Sequence, residues 1–193
     1  MPTESLLQAL DARRSVPSKQ LGEPGPDPAT LARMLASAVR VPDHGKLVPF
    51  RFLHLHGDAR HVLGDRLAAR TRALDPDAPD AAVEKDRGRF SGAPDIITVI
   101  ARLTPGHKVP EQEQLLTAGS VCFALLQAAQ ALGFGAQWLT GWMAYDDHVA
   151  ELLGLAPNEK VVGFIHIGTP RLQAPERERP DAAALLTEWT PDA

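Results

Sequence analysis

Near the start of the chain, Arg13-Arg14-Ser15 stand directly behind a short apolar run containing Leu6, Leu7 and Leu10. A planar guanidinium can take two oxygens of a phosphate or carboxylate, and a serine hydroxyl adds a donor. The triplet has two readings: cations favoured at the negative end of a helix, or a helix that stops in order to hold an anion. Histidines form the second group of candidates. His54 and His56 point to one face of a strand, with His61 nearby, but no acidic or cysteine ligand accompanies them at a metal-site spacing, so no metal is expected. His166 sits inside an apolar strand and is expected to be a hydrogen-bonded core residue. Gly133-x-Gly135 follows a helix, whereas a dinucleotide fingerprint follows a strand and opens a helix. No Gly-x-Ser-x-Gly elbow and no Walker-type loop is present, so serine and nucleotide hydrolases have no foothold.

These residues need elements to position them. Asp27-Pro28 opens a helix whose Leu31, Met34, Leu35, Ala38 and Val39 share one face. Residues 50–56 alternate as a strand does, and 94–102 form a continuous apolar run suited to an interior strand. Helices are predicted over 58–72 and 79–91, and a mobile loop over 102–112. A long helix over 115–132 ends in a glycine cap at Gly133. The spacing then predicts a strand over 136–142 turning at Gly141, a helix over 146–154, a strand over 160–170 and a short helix in the tail. Several helices follow one another with no strand between, which is α+β and not a βαβ repeat.

Composition narrows the field. The chain has 193 residues, 44% hydrophobic and 23% charged, enough for one domain with a real core over 1–193. A net charge of −4, with both signs mixed, argues against a nucleic-acid partner. The single Cys122 excludes an internal disulfide. Segment 115–132 approaches spanning length but holds Thr117, Ser120, Gln127 and Gln130 and lacks a basic flank, so burial in a core or between subunits is expected instead of a membrane. The start, MPTESLLQAL, has no basic or long apolar stretch, so the cytoplasm is the expected location.

Four separated pieces carry a resemblance: RRS at 13–15, VPDHGKLVPFRF at 41–52, ALGFGAQWLTG at 131–141, and GFIHIGTP with RERP at 163–180. Their order and spacing resemble the nitroreductase family of flavoproteins across nearly the whole chain, in its compact bacterial branch. The resemblance implies an α+β nitroreductase-like fold, with a central mixed, mainly antiparallel sheet flanked by helices, and an intertwined homodimer with FMN at the interface. It implies that Arg13 and Ser15, with Arg14 close by, hold the FMN phosphate and ribityl end. Arg179 matches a C-terminal arginine that reaches the same phosphate, and Arg177 competes for that match. Trp138, Leu139 and Thr140 correspond to the segment lying along the flavin ring, with a backbone donor toward N5. His44 and Val48 match positions that reach the flavin from the other subunit.

The chain departs from the family at several places. Where the family has Gln, Asn and Trp, it carries Val48, Lys46 and Phe50. A basic residue that favours the reduced flavin's charge near N1 and O2 is replaced by Pro17, leaving Lys19 or Lys46 to substitute. The activity implied is ping-pong: NADH or NADPH gives a hydride to flavin N5, leaves, and a nitroaromatic, quinone or related acceptor takes the electrons. No side chain need act as a catalytic nucleophile. The alternatives are a reductase of another acceptor, such as an enone or halogenated ring, and a flavin-binding or storage protein with little activity.

Overall fold

The apolar run at 94–102 forms β3 (Asp95–Arg102), in which every residue except Arg102 is buried. It is paired on both edges and covered on both faces, and so reads as continuous hydrophobicity. In this computed structural model, residues 3–191 are described, apart from the side chains of Thr3 and Glu4. In chain order the elements are α1 (Thr3–Asp11), β1 (Leu21–Gly22), α2 (Pro28–Ala38), β2 (Phe50–His56), α3 (Ala59–Leu74) and α4 (Asp80–Arg87). After β3 come α5 (Glu111–Ala131), β4 (Gly135–Leu139), α6 (Asp147–Leu152) and β5 (Glu159–Pro170).

β5 is the hub of a five-stranded sheet, pairing with β1, β3 and β4, while β2 closes the edge beyond β3. The expected mainly antiparallel sheet is found, and each of these four pairings is antiparallel. Period-two alternation sends successive side chains to opposite faces. Ile97, Val99, Ile165 and Ile167 meet Met34 of α2 and Val121, Cys122 and Leu125 of α5. On the other face Ile96 and Phe164 meet Leu63 and Leu67 of α3, Phe90 and Met143. Phe90 packs edge-on to Phe164 at 5.0 Å between ring centroids, a favoured aromatic geometry.

Several boundaries differ from expectation, each for a local reason. The long helix begins at Glu111, where Glu111 and Glu113 suit the positive first turn. The preceding loop is fastened: buried Gln114 accepts from Thr104 N at 2.8 Å and donates to Val109 O at 2.9 Å. The cap at Gly133 is as expected, with φ +84° and the Phe134 amide returning to Ala129 O at 2.9 Å. The helix over 79–91 gives way after Arg87 to a 3-10 turn at 88–90, and β4 ends at Leu139, before Gly141. In the tail, among the described residues, a 3-10 turn over Ala183–Leu185 takes the place of the expected helix, and Leu185 and Leu186 stay exposed. β1 is too short for any periodicity to reveal.

The apolar face of α1 is not core. Leu6 and Leu7 are 61% and 57% exposed, and on neighbouring α5 Leu116 and Phe123 are 63% and 46% exposed. These two helices leave an apolar stripe on the outside of the chain. No helix among the described residues is long and apolar enough to cross a membrane.

Candidate functional site

Arg13, Arg14 and Ser15 follow α1 and run beside the C-terminal end of α5. Gln130 on α5 fixes them there: its Oε1 accepts from the Arg14 amide and its Nε2 donates to Ala9 O, both at 3.2 Å. The chain then lies against β4, with Val16 N donating to Ala136 O at 3.1 Å and Ser18 N to Gln137 Oε1 at 2.6 Å. Across the gap comes the segment after β5. Glu176 pairs with Arg14, and Arg179 donates to the same carboxylate at 3.2–3.3 Å.

The two arginines of the triplet differ. Arg14 is spent on Glu176 and on the carbonyls of Asp11 and Arg13. Arg13 donates to Ser15 Oγ at 3.2 Å and has no ion pair among the described residues. Burial, and then the charges of Arg179, Arg14 and Arg177, push the Arg13 guanidinium below its ordinary pKa. Leu10, Asp11, Arg13, Glu176 and Arg179 line a cleft of about 440 Å³. Four guanidinium groups thus share one end of the molecule, where Glu176 alone pairs with two of them. Such crowding is unfavourable in the free protein and is relieved by an anion. A phosphate dianion fits this donor set, with Ser15 as an additional hydroxyl. Arg179 lines the cleft and Arg177 does not, so of the two C-terminal candidates the geometry favours Arg179.

Trp138, Leu139 and Thr140 sit at the end of β4 and the start of the turn after it. The alternation of the strand parts them. Trp138 lies over Gly163, where a side-chain carbon would collide with the indole, and its Nε1 donates to Val162 O at 3.2 Å. That carbonyl is available because Val162 is the extra residue of a bulge, which leaves it outside the β3 ladder. Leu139 faces the opposite side of the sheet, into a cavity of about 400 Å³ with Ser18, Lys19, Arg89 and His166. His166 is buried as expected, yet its Nδ1 has no hydrogen-bond partner, which corrects the expectation of a satisfied core residue. Burial lowers its pKa to about 4, so the ring is neutral at neutral pH.

His44 and Val48 lie elsewhere. Their loop is bound to the N-terminal end of α5, where His44 Nδ1 donates to Glu113 Oε2 at 2.6 Å. Both Asp43 carboxylate oxygens are engaged, by Leu47 N at 3.2 Å and Val48 N at 2.8 Å. Gly45, Lys46 and Val48 all have positive φ, of 72°, 54° and 49°. For a β-branched valine this is a strained backbone. Glu113 and Gln130 are seventeen residues apart on α5, or roughly 25 Å along its axis. One chain therefore does not bring His44 and Val48 to the arginine cluster.

His54 and His56 do share a face, stacked at 4.3 Å, and His54 Nε2 donates to Asp95 Oδ1 at 2.7 Å. Gln130, Gln137, Glu113, Asp43 and Glu176 were not legible as supporting residues from sequence alone. Their partners are far away in the chain or belong to irregular loops, where no periodicity marks them.

Fold and site together define an α+β protein with a cluster of arginines at one end of a long central helix. The chain belongs to the nitroreductase family: residues 10–169 match the family model described as "Nitroreductase family". It is 37% identical over 168 residues to the Escherichia coli (strain K12) protein named "Putative NAD(P)H nitroreductase YdjA", covering 87% of this chain and 90% of that one. Its fold is similar to that of a nitroreductase-like family protein from Bacillus cereus, with a TM-score of 0.79 and 22% identity over 96% of both chains. A structure titled as a "putative nitroreductase in complex with fmn", from Desulfovibrio desulfuricans, matches with a TM-score of 0.72 and 27% identity, covering 96% of this chain and 98% of that one.

Proposed function

We propose that this chain is an FMN-dependent NAD(P)H oxidoreductase acting as a homodimer, with one FMN at each end of the subunit interface. The observation that carries this reading is that Arg13 and Arg179 line one cleft and that Arg13 feels the charges of Arg179, Arg14 and Arg177 while having no ion pair of its own among the described residues. Arg13 and Arg179 hold the phosphate, Ser15 adds a donor, and Arg14, locked to Glu176, fixes the geometry of the cluster. When bound, FMN supplies a two-electron carrier that takes a hydride at N5 from NADH or NADPH and, once the nicotinamide has left, serves a nitroaromatic, quinone or related acceptor. The segment Trp138, Leu139 and Thr140 would line the ring and offer it a backbone donor.

A second copy is what brings His44 and Val48 to the flavin, because within one chain they stand at the other end of α5. The outer stripe of Leu6, Leu7, Leu116 and Phe123 supports the same arrangement. Fully burying each such side chain is worth about 1.5–3 kcal/mol, and an obligate dimer would cover on the order of 2,000 Å² or more. The neutral His166 and the thiol of Cys122, which burial raises to about 12, offer no competing nucleophile or base.

Purification tests the reading directly. The protein should be yellow, release FMN on denaturation, run as a dimer by light scattering at micromolar concentration, and be bleached by NADH or NADPH without oxygen. FMN retained without bleaching would make it a flavin-binding protein. A monomer that still holds FMN would overturn the interface site.

A further inference from the structure

The chain beyond β5 is tied to the body at a few points and then runs free over the arginine cleft. At its start Arg171 N donates to Gln20 O at 2.8 Å. The Arg171 side chain lies over Gly22, where a side-chain carbon would come within 2.5 Å of its Nε. Ala174 then packs against the small cluster of Val16, Leu21 and Ala93. From Pro175 to Pro180 every residue is exposed. The ion pair that brings this stretch back to the body is that of Glu176 with Arg14.

Glu176 divides between two arginines, and unequally. Arg14 is the partly buried partner, and it also donates to Asp11 O at 2.5 Å and Arg13 O at 3.1 Å, so its place is fixed from several sides. Arg179 is half exposed, and its bonds to Glu176 are long, 3.3 Å from Nε and 3.2 Å from Nη2. An exposed pair of this kind is weak and easily exchanged. Arg179 lines the cleft together with Arg13 and with Asp11, whose carboxylate has no ion pair among the described residues. An anion entering the cleft meets Arg13 directly, because that guanidinium has only Ser15 Oγ as its partner. It gains Arg179 only when that arginine turns away from Glu176.

Resting on the FMN reading above, we propose that Glu176 is a built-in anion of this cleft, which holds Arg179 and residues 175–180 over the arginines until a ligand phosphate takes Arg179 from it. Arg14 keeps Glu176 in place throughout. The exchange makes Glu176 a specificity-determining residue. A phosphate ester carries about 1.5–2 negative charges at neutral pH, against one for a carboxylate, so a phosphate wins Arg179 where a carboxylate gains nothing over the bond already made. The Glu176 charge that stays beside the cleft also repels any anion that arrives, and a monoanion has the smaller attraction to set against it. Small carboxylates are thereby kept out of a cluster of guanidinium groups that would otherwise accept them.

Two measurements on the flavin-free protein, neither of them turnover, test the assignment: equilibrium binding of FMN, riboflavin and inorganic phosphate, and the rate of tryptic cleavage after Arg177. Glu176→Gln should bind FMN and inorganic phosphate about three- to fivefold more tightly than the parent, the reach of one exposed ion pair, with riboflavin unchanged. Acetate should compete with phosphate in this variant at concentrations that leave the parent unaffected. Without ligand the variant should be cut after Arg177 several times faster than the parent, and FMN should protect both. Glu176→Asp, which keeps the charge, should stay close to the parent in every measurement. Weaker binding of FMN and phosphate by Glu176→Gln would make Glu176 a prop for the arginines and overturn the exchange. Affinities or a cleavage rate equal to the parent's overturn it as well. If phosphate binding responds as expected but neither protein takes up FMN, the exchange stands and the FMN reading fails.

Discussion

The two ends of α5 solve different problems. At the C-terminal end the backbone is relaxed and the difficulty is electrostatic: guanidinium groups crowd one another, and Glu176 only partly offsets them. At the N-terminal end His44 is hydrogen-bonded to Glu113, and the difficulty is conformational, with Lys46 and Val48 at positive φ. On the proposed reading, the excess positive charge at one end is the place for an anion, the strained loop stapled by Asp43 at the other end holds its shape for a second copy, and the two halves meet only between copies.

The largest expected effect comes from keeping the copies apart. Leu116→Glu combined with Phe123→Glu puts carboxylates into the stripe shared with α1, and the protein should become monomeric by light scattering. FMN affinity should fall by about a hundredfold or more, given 1.5–3 kcal/mol for each lost apolar contact. A monomeric variant that binds FMN like the parent would mean that the arginine end is a complete site.

Next is the arginine end alone. Arg13→Ala should weaken FMN binding by about 1.5–3 kcal/mol, the scale of a hydrogen bond to a charged group. Riboflavin, which lacks the phosphate, should bind much as before. Equal losses for the two ligands would show that Arg13 supports the fold and does not read phosphate.

The loop end should respond more weakly. His44→Ala is expected to alter the flavin absorbance and slow reduction by NAD(P)H about two- to tenfold, the range of one neutral hydrogen bond, while the dimer persists. His44→Asn, which keeps a donor, should restore part of the rate. If both variants match the parent, His44 serves only to tie the loop to Glu113.

The smallest effect concerns strain. A left-handed backbone costs a side-chain-bearing residue roughly 1–2 kcal/mol, and glycine gives back about 0.5–1 kcal/mol in unfolded-state entropy. Val48→Gly should therefore raise stability in urea by up to about 1 kcal/mol. A clear loss of stability would show that the valine side chain itself holds the loop.

Much of this was legible in the sequence. The alternation of Phe50–His56, the apolar run of β3 and the Gly133 cap each gave the element that is found, because local periodicity and turn chemistry decide them. The apolar face of α1 was legible as a pattern, but its destination was not. Leu6 and Leu7 face outward, since a hydrophobic stripe shows that something must cover it without showing what. His166 was placed correctly inside a strand. That its Nδ1 lacks a partner depends on which groups the opposite layer supplies.

The sequence by itself determined the family and the α+β class and singled out the arginines proposed to hold a phosphate, because these rest on residue types in a fixed order. Tertiary structure decided everything that depends on distance between remote segments. It set Glu176 against Arg14, chose Arg179 over Arg177 at the cleft, and placed Trp138 and Leu139 on opposite faces of one strand. Charge acts through space, and a sequence orders residues only along a line.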